Sequence, residues 1–272
     1  MPQIPVLKKK LKSVKATGKL SKAMKTVSAA KYSRLSSLWR DYSLYTDQYR
    51  FLYTDVKDSA NLTPDAIIVM GSNRGFCGSF NNDVVSYYME NRPDSAKTLI
   101  VCGEEIIKSF SDSGLKPDYT FVFGEVPTFD ECGALFDCIA ELSDGKENFA
   151  VEVINPKYIN TLNQEPVSDI FVINQTDKSV SGDVLLYVPD RSTVLDKILE
   201  KGFRALMFSK VLETALGAQA STLMTMRSAY DTATDYTETL EGEIHRLRQS
   251  AVTSDVIETA ADHGAKEENE NG

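Results

Sequence analysis

The sequence predicts an α/β protein in which long N- and C-terminal helices form an antiparallel coiled coil and a doubly wound α/β domain is inserted between them. Three observations support this prediction: a heptad repeat near the C-terminus, a proline-free N-terminal stretch, and alternating strand and helix patterns between the two. The predicted divisions are residues 1–60 for the first helix, 61–191 for the globular domain, 192–262 for the second helix and 263–272 for a disordered acidic tail.

The second helix is predicted from Ser192 to Ala261, a stretch that contains no proline and keeps a helical apolar period. From Gln219 onward the apolar positions alternate in steps of four and three, which is the period of a left-handed coiled coil. A continuous helix of this length would be on the order of 100 Å long, and it therefore needs a partner helix. The seam positions are Gln219, Leu223, Met226, Tyr230, Ala233, Thr237, Leu240, Ile244, Leu247 and Ala251.

The first helix is predicted to begin at Pro5 and to extend to about Lys57, because no proline and only Gly18 interrupt this stretch. Its apolar residues form a loose stripe and then an aromatic heptad. We interpret both as a helix–helix seam rather than as an aromatic binding ladder, with Trp39 as a packing residue beside it. The stripe is Leu7, Leu11, Val14, Leu20, Met24 and Val27, and the heptad is Leu35, Leu38, Tyr42, Tyr45, Tyr49, Leu52 and Val56.

Between the helices the pattern alternates strands with helices, which is typical of a Rossmann-like domain. An inserted domain makes the two long helices antiparallel, with residue i opposite roughly residue 252 − i. The tip Ala251–Ala261 then extends past its partner, and another protein should cover it. The predicted strands are Ala66–Met70, Thr98–Cys102, Asp118–Phe123, Phe149–Asn155, Val167–Asn174 and Leu185–Val188; the predicted helices are Asn82–Asn91, Glu104–Ser113 and Thr128–Leu142, the last with a capping box.

Charge is unevenly distributed. Residues 1–40 contain eleven Lys or Arg and no acid, which gives this segment a charge of +11. Because the whole chain has a net charge of −9, the remaining residues carry −20. The cationic arm is expected to face acidic loops of a partner protein, nucleic acid or only solvent. Because the −20 would repel a phosphate backbone, no nucleic-acid partner is expected.

Several function classes are not expected. Apolar runs fall far short of the roughly 20 residues of a membrane helix, and the N-terminus has neither a secretory signal nor a transit peptide. Four cysteines without metal-binding spacing are interpreted as reduced thiols in a cytosol-like compartment. Neither a catalytic residue, a metal site nor a cofactor is predicted, because the sequence contains no catalytic carboxylate pair or nucleophilic triad.

The loop after the first predicted strand leaves an alternative open. It reads Gly71-x-x-x-Gly75-x-x-Gly78, which differs from the dinucleotide spacing and lacks the Gly-Lys-Ser/Thr of a phosphate-binding loop. Arg74 and a helix N-terminus could still hold a phosphate. A nucleotide-binding α/β protein with a coiled-coil dimerisation handle is therefore the alternative to a structural or partner-contacting turn.

Three stretches together resemble one family, the gamma subunit of F-type ATP synthases, which is the central rotor shaft. Residues 11–31 (LKSVKATGKLSKAMKTVSAAK) resemble the family's R-I-x-S-[IV]-x-x-T-x-K-I-T-K-A-M opening. Residues 72–81 (SNRGFCGSFN) resemble its S-D-R-G-L-C-G-x-[FL]-N loop, and residues 248–255 (RQSAVTSD) its R-Q-A-x-I-T-x-E segment. The turn Gln164-Glu165-Pro166 also matches, so the resemblance spans the whole chain.

The resemblance implies a non-catalytic central-stalk rotor that couples proton or sodium flow through a membrane ring to conformational cycling of a catalytic alpha/beta hexamer. The implied partners are the alpha and beta subunits, an epsilon-type subunit and the membrane c-ring, with one copy per complex. The implied location is peripheral, on the cytoplasmic face of the bacterial inner membrane. The implied partner-binding residues are Lys22, Met24 and Lys25 near acidic beta-subunit loops, Arg74 in the glycine-rich loop, and Arg248, Gln249, Thr253 and Asp255 at the tip.

The sequence departs from the family pattern at a few positions. Asn73 stands where an acid is usual and Phe76 where leucine is usual. Ala218 and Thr222 occupy places where the family usually has a Glu and an Arg. These departures concern the detailed rotor–stator contacts and leave the expected architecture unchanged.

Overall fold

A computed structural model describes residues 3–50, 63–91, 98–173 and 191–270 of the chain. The chain divides into two compact units, a helical unit (Met1–Lys25 with Met226–Gly272) and an α/β unit (Thr26–Thr225). The helices are α1 (Gln3–Arg50), α2 (Phe80–Asn91), α3 (Glu104–Asp112), α4 (Gly133–Ser143) and α5 (Arg191–Glu270), and the strands are β1 (Ala66–Met70), β2 (Thr98–Cys102), β3 (Tyr119–Phe121), β4 (Phe149–Tyr158) and β5 (Gln164–Ile173).

The α/β unit contains one sheet with strand order β3-β2-β1-β4-β5. The first four strands in this order are parallel, and only the edge strand β5 runs antiparallel to its neighbour β4. β1 lies at the point where the strand order reverses and is buried along its whole length. This sheet, with the long terminal helices packed together, confirms the predicted α/β fold class.

Helices cover both faces of the sheet. Because side chains alternate along a strand, Ile67 and Ile68 of β1 enter different cores. One core contains α2 and α3, and the other contains α4 with parts of α1 and α5. The first core is Ile67, Val69, Val84, Val85, Tyr88, Val101, Ile106, Phe110 and Ile154; buried members of the second include Leu35, Ile68, Met70, Ile100, Leu135, Phe136, Phe203, Met207 and Leu212.

The β4–β5 hairpin is longer than predicted. The predicted strands Phe149–Asn155 and Val167–Asn174 stop short of Pro156 and Pro166 because both prolines were interpreted as turn residues. In the structure the two prolines face each other within the ladder. β4 pairs with β1 only as far as Ile154, and β5 is an edge strand. Both prolines are therefore tolerated where no second strand needs their missing N–H. The capping box before α4 is confirmed, since Thr128 Oγ1 accepts from Glu131 N–H and Glu131 Oε2 accepts from Thr128 N–H, each at 3.4 Å.

In the helical unit, α1 and α5 pack antiparallel, as predicted. Lys15 Nζ lies 2.6 Å from Glu241 Oε1, and a Cβ placed on Gly18 would lie 3.3 Å from the Cβ of Ala233. The Lys22 ammonium lies 5.9 Å from the ring centroid of Tyr230. These pairs agree with the predicted register. The seam of α5 in this unit is also confirmed, since Met226, Ala233, Leu240 and Ile244 are buried.

The predicted seam of α1 is partly wrong. Large side chains expected on it are exposed: Leu20 by 59%, Val27 by 52%, Leu38 by 39% and Tyr45 by 45%. The buried positions are instead Gly18, Ser21, Ser28, Leu35 and Thr46. All of these except Leu35 are small or polar, which lets the helix backbones approach closely, and a hydroxyl can bond to the helix itself, as Thr46 Oγ1 does to the Ser43 carbonyl at 3.2 Å. Together with some of the half-buried residues they form a series that also steps by four and three: Leu7, Leu11, Val14, Gly18, Ser21, Lys25, Ser28, Tyr32, Leu35, Trp39, Tyr42 and Thr46.

Several predictions concern the ends of segments. Helix α5 continues to Glu270, where a disordered tail was predicted from residue 263; its Ala, Lys and Glu residues are good helix formers. Leu52, Val56 and the strand Leu185–Val188 lie outside the described residues, as does the side chain of Tyr49. None of the helices in the described ranges is both long and apolar enough to cross a membrane.

Candidate functional site: the glycine loop and the partner-facing helices

The glycine loop (Gly71–Asn81) closes on itself through its own polar groups. Ser72 N–H donates to Asn81 Oδ1 at 2.9 Å, and Asn81 Nδ2 donates to Ser72 Oγ at 2.7 Å. Ser72 Oγ in turn donates to the Arg74 carbonyl at 2.8 Å. Both Ser72 and Asn81 are buried. The loop therefore has a fixed shape, and these donors are already used within it.

The N-terminus of α3 is also occupied by this loop. Glu104 N–H donates to Asn73 Oδ1 at 3.2 Å, and Glu105 N–H donates to the Ser72 carbonyl at 3.1 Å. Gly103 has φ 120°, and a Cβ there would lie 2.6 Å from the Gly71 carbonyl oxygen. The loop backbone thus fills the place where a phosphate would meet free helix N–H groups.

The loop is docked on α5. Ser221 Oγ donates to the Cys77 carbonyl at 2.5 Å, and Cys77, Phe80 and Ala218 form a small buried cluster. Gly78 has φ 61° and lies close to Thr225, where its missing side chain leaves room. Just before these anchors, Phe76 adopts φ 63° and is 64% exposed. An exposed aromatic residue in a left-handed conformation is unusual.

One carboxylate, that of Glu125, pairs with the cationic side chains around the loop. Glu125, which follows β3, accepts from Arg74 Nε at 2.7 Å through Oε1. Its Oε2 accepts from Lys31 Nζ of α1 and, at 3.4 Å, from Gln219 Nε2 of α5. The Glu125 side chain is 20% exposed, whereas that of Arg74 is 70% exposed. The charge of Arg74, a predicted partner-binding residue, is therefore paired within the chain.

Two hollows near the loop do not fit a nucleotide. The cavity beside Gly71, Arg74, Glu125 and Thr222 measures about 40 Å³, which holds a few waters rather than a ligand that needs some 300 Å³ or more. A polar hollow of about 350 Å³ lies between α2 and the β4–β5 hairpin, but Asp83 and Glu165 line it and neither Lys nor Arg does. An acidic wall repels phosphate.

The thiols offer no nucleophile for catalysis. Burial raises the pKa of Cys77, although hydrogen bonds with Ser72, with its own backbone and with Asn81 partly oppose the shift. Burial raises the pKa of Cys132 to about 12, and the nearby Glu131 adds to the effect. Burial also raises the pKa of Cys102 well above its ordinary value. Each of these cysteines is therefore a neutral thiol at neutral pH, and a thiol is far less reactive than a thiolate.

Two of the three predicted contact residues of α1, Lys22 and Lys25, lie over one tyrosine of α5. Lys22 and Lys25 place their ammonium groups 5.9 and 5.5 Å from the centroid of Tyr230. Lys22 is exposed, while Met24 and Lys25 are half-buried. Lysines over an aromatic face are attracted by its π electrons, so that part of the cationic surface is held against α5.

The predicted tip residues are all exposed on α5. Arg248, Gln249, Thr253 and Asp255 lie within the last described turns, and Thr253 Oγ1 donates back to the Gln249 carbonyl at 2.9 Å. Val252, Val256 and Ile257 are also more than 60% exposed. This part of α5 thus presents polar and apolar side chains together. The structure leaves the role of these residues, and that of Lys22, Met24 and Lys25, as predictions.

Comparison with known proteins places these features in a family. A family model described as ATP synthase matches residues 3–265. The chain belongs to the ATP synthase gamma-chain family. It is 25% identical to the ATP synthase gamma chain of Lacticaseibacillus paracasei over 96% of this chain and 98% of that one. It is 28% identical to the gamma chain of a Janthinobacterium species, covering 93% of this chain and 95% of that one.

Solved structures share the fold. A chain from the Euglena gracilis mitochondrial ATP synthase, in a structure of its OSCP, F1 and c-ring parts, superposes with a TM-score of 0.71 and 14% identity. The match covers 97% of this chain and 94% of that one. A chain from the central stalk and c-ring of the Tetrahymena thermophila mitochondrial enzyme gives a TM-score of 0.57 at 19% identity, over 77% and 99% of the two chains.

The departures from the gamma-chain pattern have local partners. Asn73 accepts from Glu104 N–H and also donates through Nδ2 to the Phe123 carbonyl at 2.5 Å. Ala218 is buried, and Thr222 Oγ1 bonds back to the Ala218 carbonyl at 2.8 Å. Sequence reasoning missed Glu125, because it lies in a loop outside every motif and its partners Lys31 and Gln219 are both 94 residues away.

Proposed function

We propose that the chain is the non-catalytic rotor of the central stalk of an F-type ATP synthase, coupling ion flow through a membrane ring to conformational cycling of a catalytic alpha/beta hexamer. The observation that carries this proposal is the antiparallel pairing of α1 with α5 in the helical unit. This pairing makes a two-helix rod with an exposed cationic face on α1 and a mixed polar and apolar end on α5.

A rotor does not need its own active site, and the geometry supports this role. The backbone donors at the glycine loop are used internally, and the buried thiols are neutral. In the proposed assembly, catalysis belongs to the alpha and beta subunits, and this chain changes their conformation by turning. Its surface differs around the rod because α1 is cationic and α5 carries acids such as Asp231, Asp235 and Glu238.

The proposed partners follow from the relatives, whose structures include F1, rotor and c-ring assemblies. The alpha and beta subunits would surround the helices. An epsilon-type subunit and the c-ring would contact the α/β unit, with one copy of this chain per complex. The complex would be peripheral, on the cytoplasmic face of a bacterial inner membrane. Lys22, Met24, Lys25 and Arg74, with Arg248, Gln249, Thr253 and Asp255, are the proposed contact residues.

The test is reconstitution of the alpha and beta subunits with and without this chain. The proposal predicts that the chain co-purifies with the hexamer and that cooperative ATP hydrolysis depends on it. Unchanged cooperativity without the chain would contradict the proposal. Calorimetry of the whole chain with ATP or NAD separates the alternative, because binding tighter than about 100 μM, roughly 5.5 kcal/mol, would support a nucleotide-binding protein.

A further inference from the structure

Glu125 joins three segments that are distant in the sequence. Its carboxylate receives Lys31 from α1, Arg74 from the glycine loop and Gln219 from α5. All four residues belong to the α/β unit. A single side chain thus connects both long helices to the loop that follows the central strand β1.

The environment gives this contact more weight than a surface ion pair. The side chains of Glu125 and Lys31 are only 20% and 27% exposed, and screening by water and salt is weaker for such pairs than for exposed ones. A carboxylate that accepts from two cations forms charge-assisted hydrogen bonds, which are stronger than neutral ones. Replacing Glu125 by Gln would leave Lys31 and Arg74 close together without a counter-charge.

The remaining contacts of the loop show why this connection matters for motion. The loop is fixed to α5 by Ser221 and to α3 through Asn73. Glu125 adds the connection to α1, since Lys31 is the α1 partner of this carboxylate. Helix α1 also packs directly on α5, as Tyr42 does on Phe208, but that contact does not involve the loop. Without Glu125, the hydrogen bonds of Ser221 and Asn73 would hold the loop to α5 and α3 but not to α1.

We propose that Glu125 is a positioning residue that ties both long helices to the glycine loop, so that torque entering the α/β unit is delivered to α1 and α5 together. The inference rests on the proposed rotor function and goes beyond it by naming the residue that makes α1, α5 and the glycine loop move together. Glu125 does not touch the catalytic sites, which belong to other subunits in that proposal. Its loss should therefore affect coupling more than ATP turnover.

The test compares E125Q with E131Q in the complete membrane-bound complex. Glu131, in the short 3-10 helix Asp130–Cys132 that follows this loop, is a matched control, because its carboxylate accepts only from backbone N–H groups in the described contacts, those of Gly124 and Thr128. The measured quantity is the ratio of two rates, each per assembled complex. The first is the rate of ATP synthesis driven by imposed proton and sodium gradients, and the second is the rate of ATP hydrolysis. E125Q should lower this ratio by about threefold or more, as expected for the loss of a partly buried ion pair, and E125D should restore part of it.

Two results for assembled complexes would overturn the inference. Equal ratios for E125Q, E131Q and the wild type would do so, and so would parallel losses of synthesis and hydrolysis, which indicate a merely structural role. If E125Q does not assemble, K31Q replaces it in the test and must lower the ratio of ATP synthesis to hydrolysis. If neither variant assembles, the role of Glu125 is in folding, and the proposal is rejected. A complex assembled without this chain that hydrolyses ATP just as the complete wild-type complex does would instead refute the rotor function itself.

Discussion

The side chain of Asn73 connects two loops of the α/β unit in a way that a carboxylate could not. Its Oδ1 accepts from Glu104 N–H, and its Nδ2 donates to the Phe123 carbonyl. An aspartate would keep the first bond, but its second oxygen would face the Phe123 carbonyl oxygen. The amide therefore explains why this chain departs from the usual acid at this position.

Replacing Asn73 by Asp should lower the free energy of unfolding by about 1–2 kcal/mol, because a carbonyl loses its donor and faces a negative charge. Urea unfolding of the purified chain measures this change. The matched control is Asn91→Asp, since the exposed Asn91 also donates to a carbonyl, that of Tyr87. Equal effects of the two substitutions would show that the double role of Asn73 does not matter.

The raised pKa of Cys132 makes stability depend on alkaline pH. The folded thiol has a pKa of about 12, above the ordinary 9.0, so the unfolded chain loses its proton first as the pH rises. Cys132 therefore contributes full stability below pH 9, and that contribution is lost between pH 9 and about 12. The unfolding free energy should fall less between pH 8 and pH 10.5 in Cys132→Ala than in the wild type. Urea unfolding of both proteins at each pH measures this fall. An equal fall in both would contradict the burial argument.

At the scale of elements, the two coiled-coil helices differ in how well their sequences reveal the seam. The α5 seam positions from Gln219 to Ala251 are large or medium in size except Ala233 and Ala251, and all are buried or half-buried. The α1 seam uses Gly18, Ser21 and Ser28, while the larger Leu20 and Val27 face outward. Apolarity identifies a seam only where the gap between helices is wide enough for large side chains.

Gly18 gives a direct test of this close approach. A Cβ at Gly18 would already lie 3.3 Å from Ala233, so Gly18→Leu should destabilise the chain by about 1–3 kcal/mol through overpacking. Leu20→Ala is the control, because Leu20 is 59% exposed and its loss should change stability by less than about 0.5 kcal/mol. Thermal unfolding followed by helical circular dichroism compares them. A larger effect at Leu20 would place the seam where the sequence pattern first suggested.

The strands show what a sequence can and cannot reveal. β1 and β2 were predicted within the bounds that the structure has, because each is a short apolar run followed by a loop or helix signal. The hairpin bounds were wrong because Pro156 and Pro166 were interpreted as turn residues. Local bonds between Ser72 and Asn81 close the glycine loop. Its attachment near Phe123 and the position of Glu125, however, depend on contacts across 50 or more residues, as between Asn73 and Phe123, and spacing in the chain does not encode them.

At the scale of the whole molecule, the tip of α5 should act through both its polar and its apolar side chains. A chain ending at Asp255 loses Val256 and Ile257, which are exposed here, and should weaken assembly or torque only partly. Replacing Arg248, Gln249 and Thr253 together by alanine should have the larger effect, because it removes three of the proposed contact residues of the tip. Hydrolysis rate and stalled torque of the reconstituted complex compare the two. Equal losses would show that these side chains have no specific role.

If this chain is the rotor, its paired helices turn as one shaft inside the catalytic hexamer. Fixing the alpha and beta subunits to a surface, attaching a bead to the α/β unit of this chain and adding ATP tests this rotation. The bead should rotate continuously in one direction. A bead that stays still while the same complexes hydrolyse ATP would contradict it.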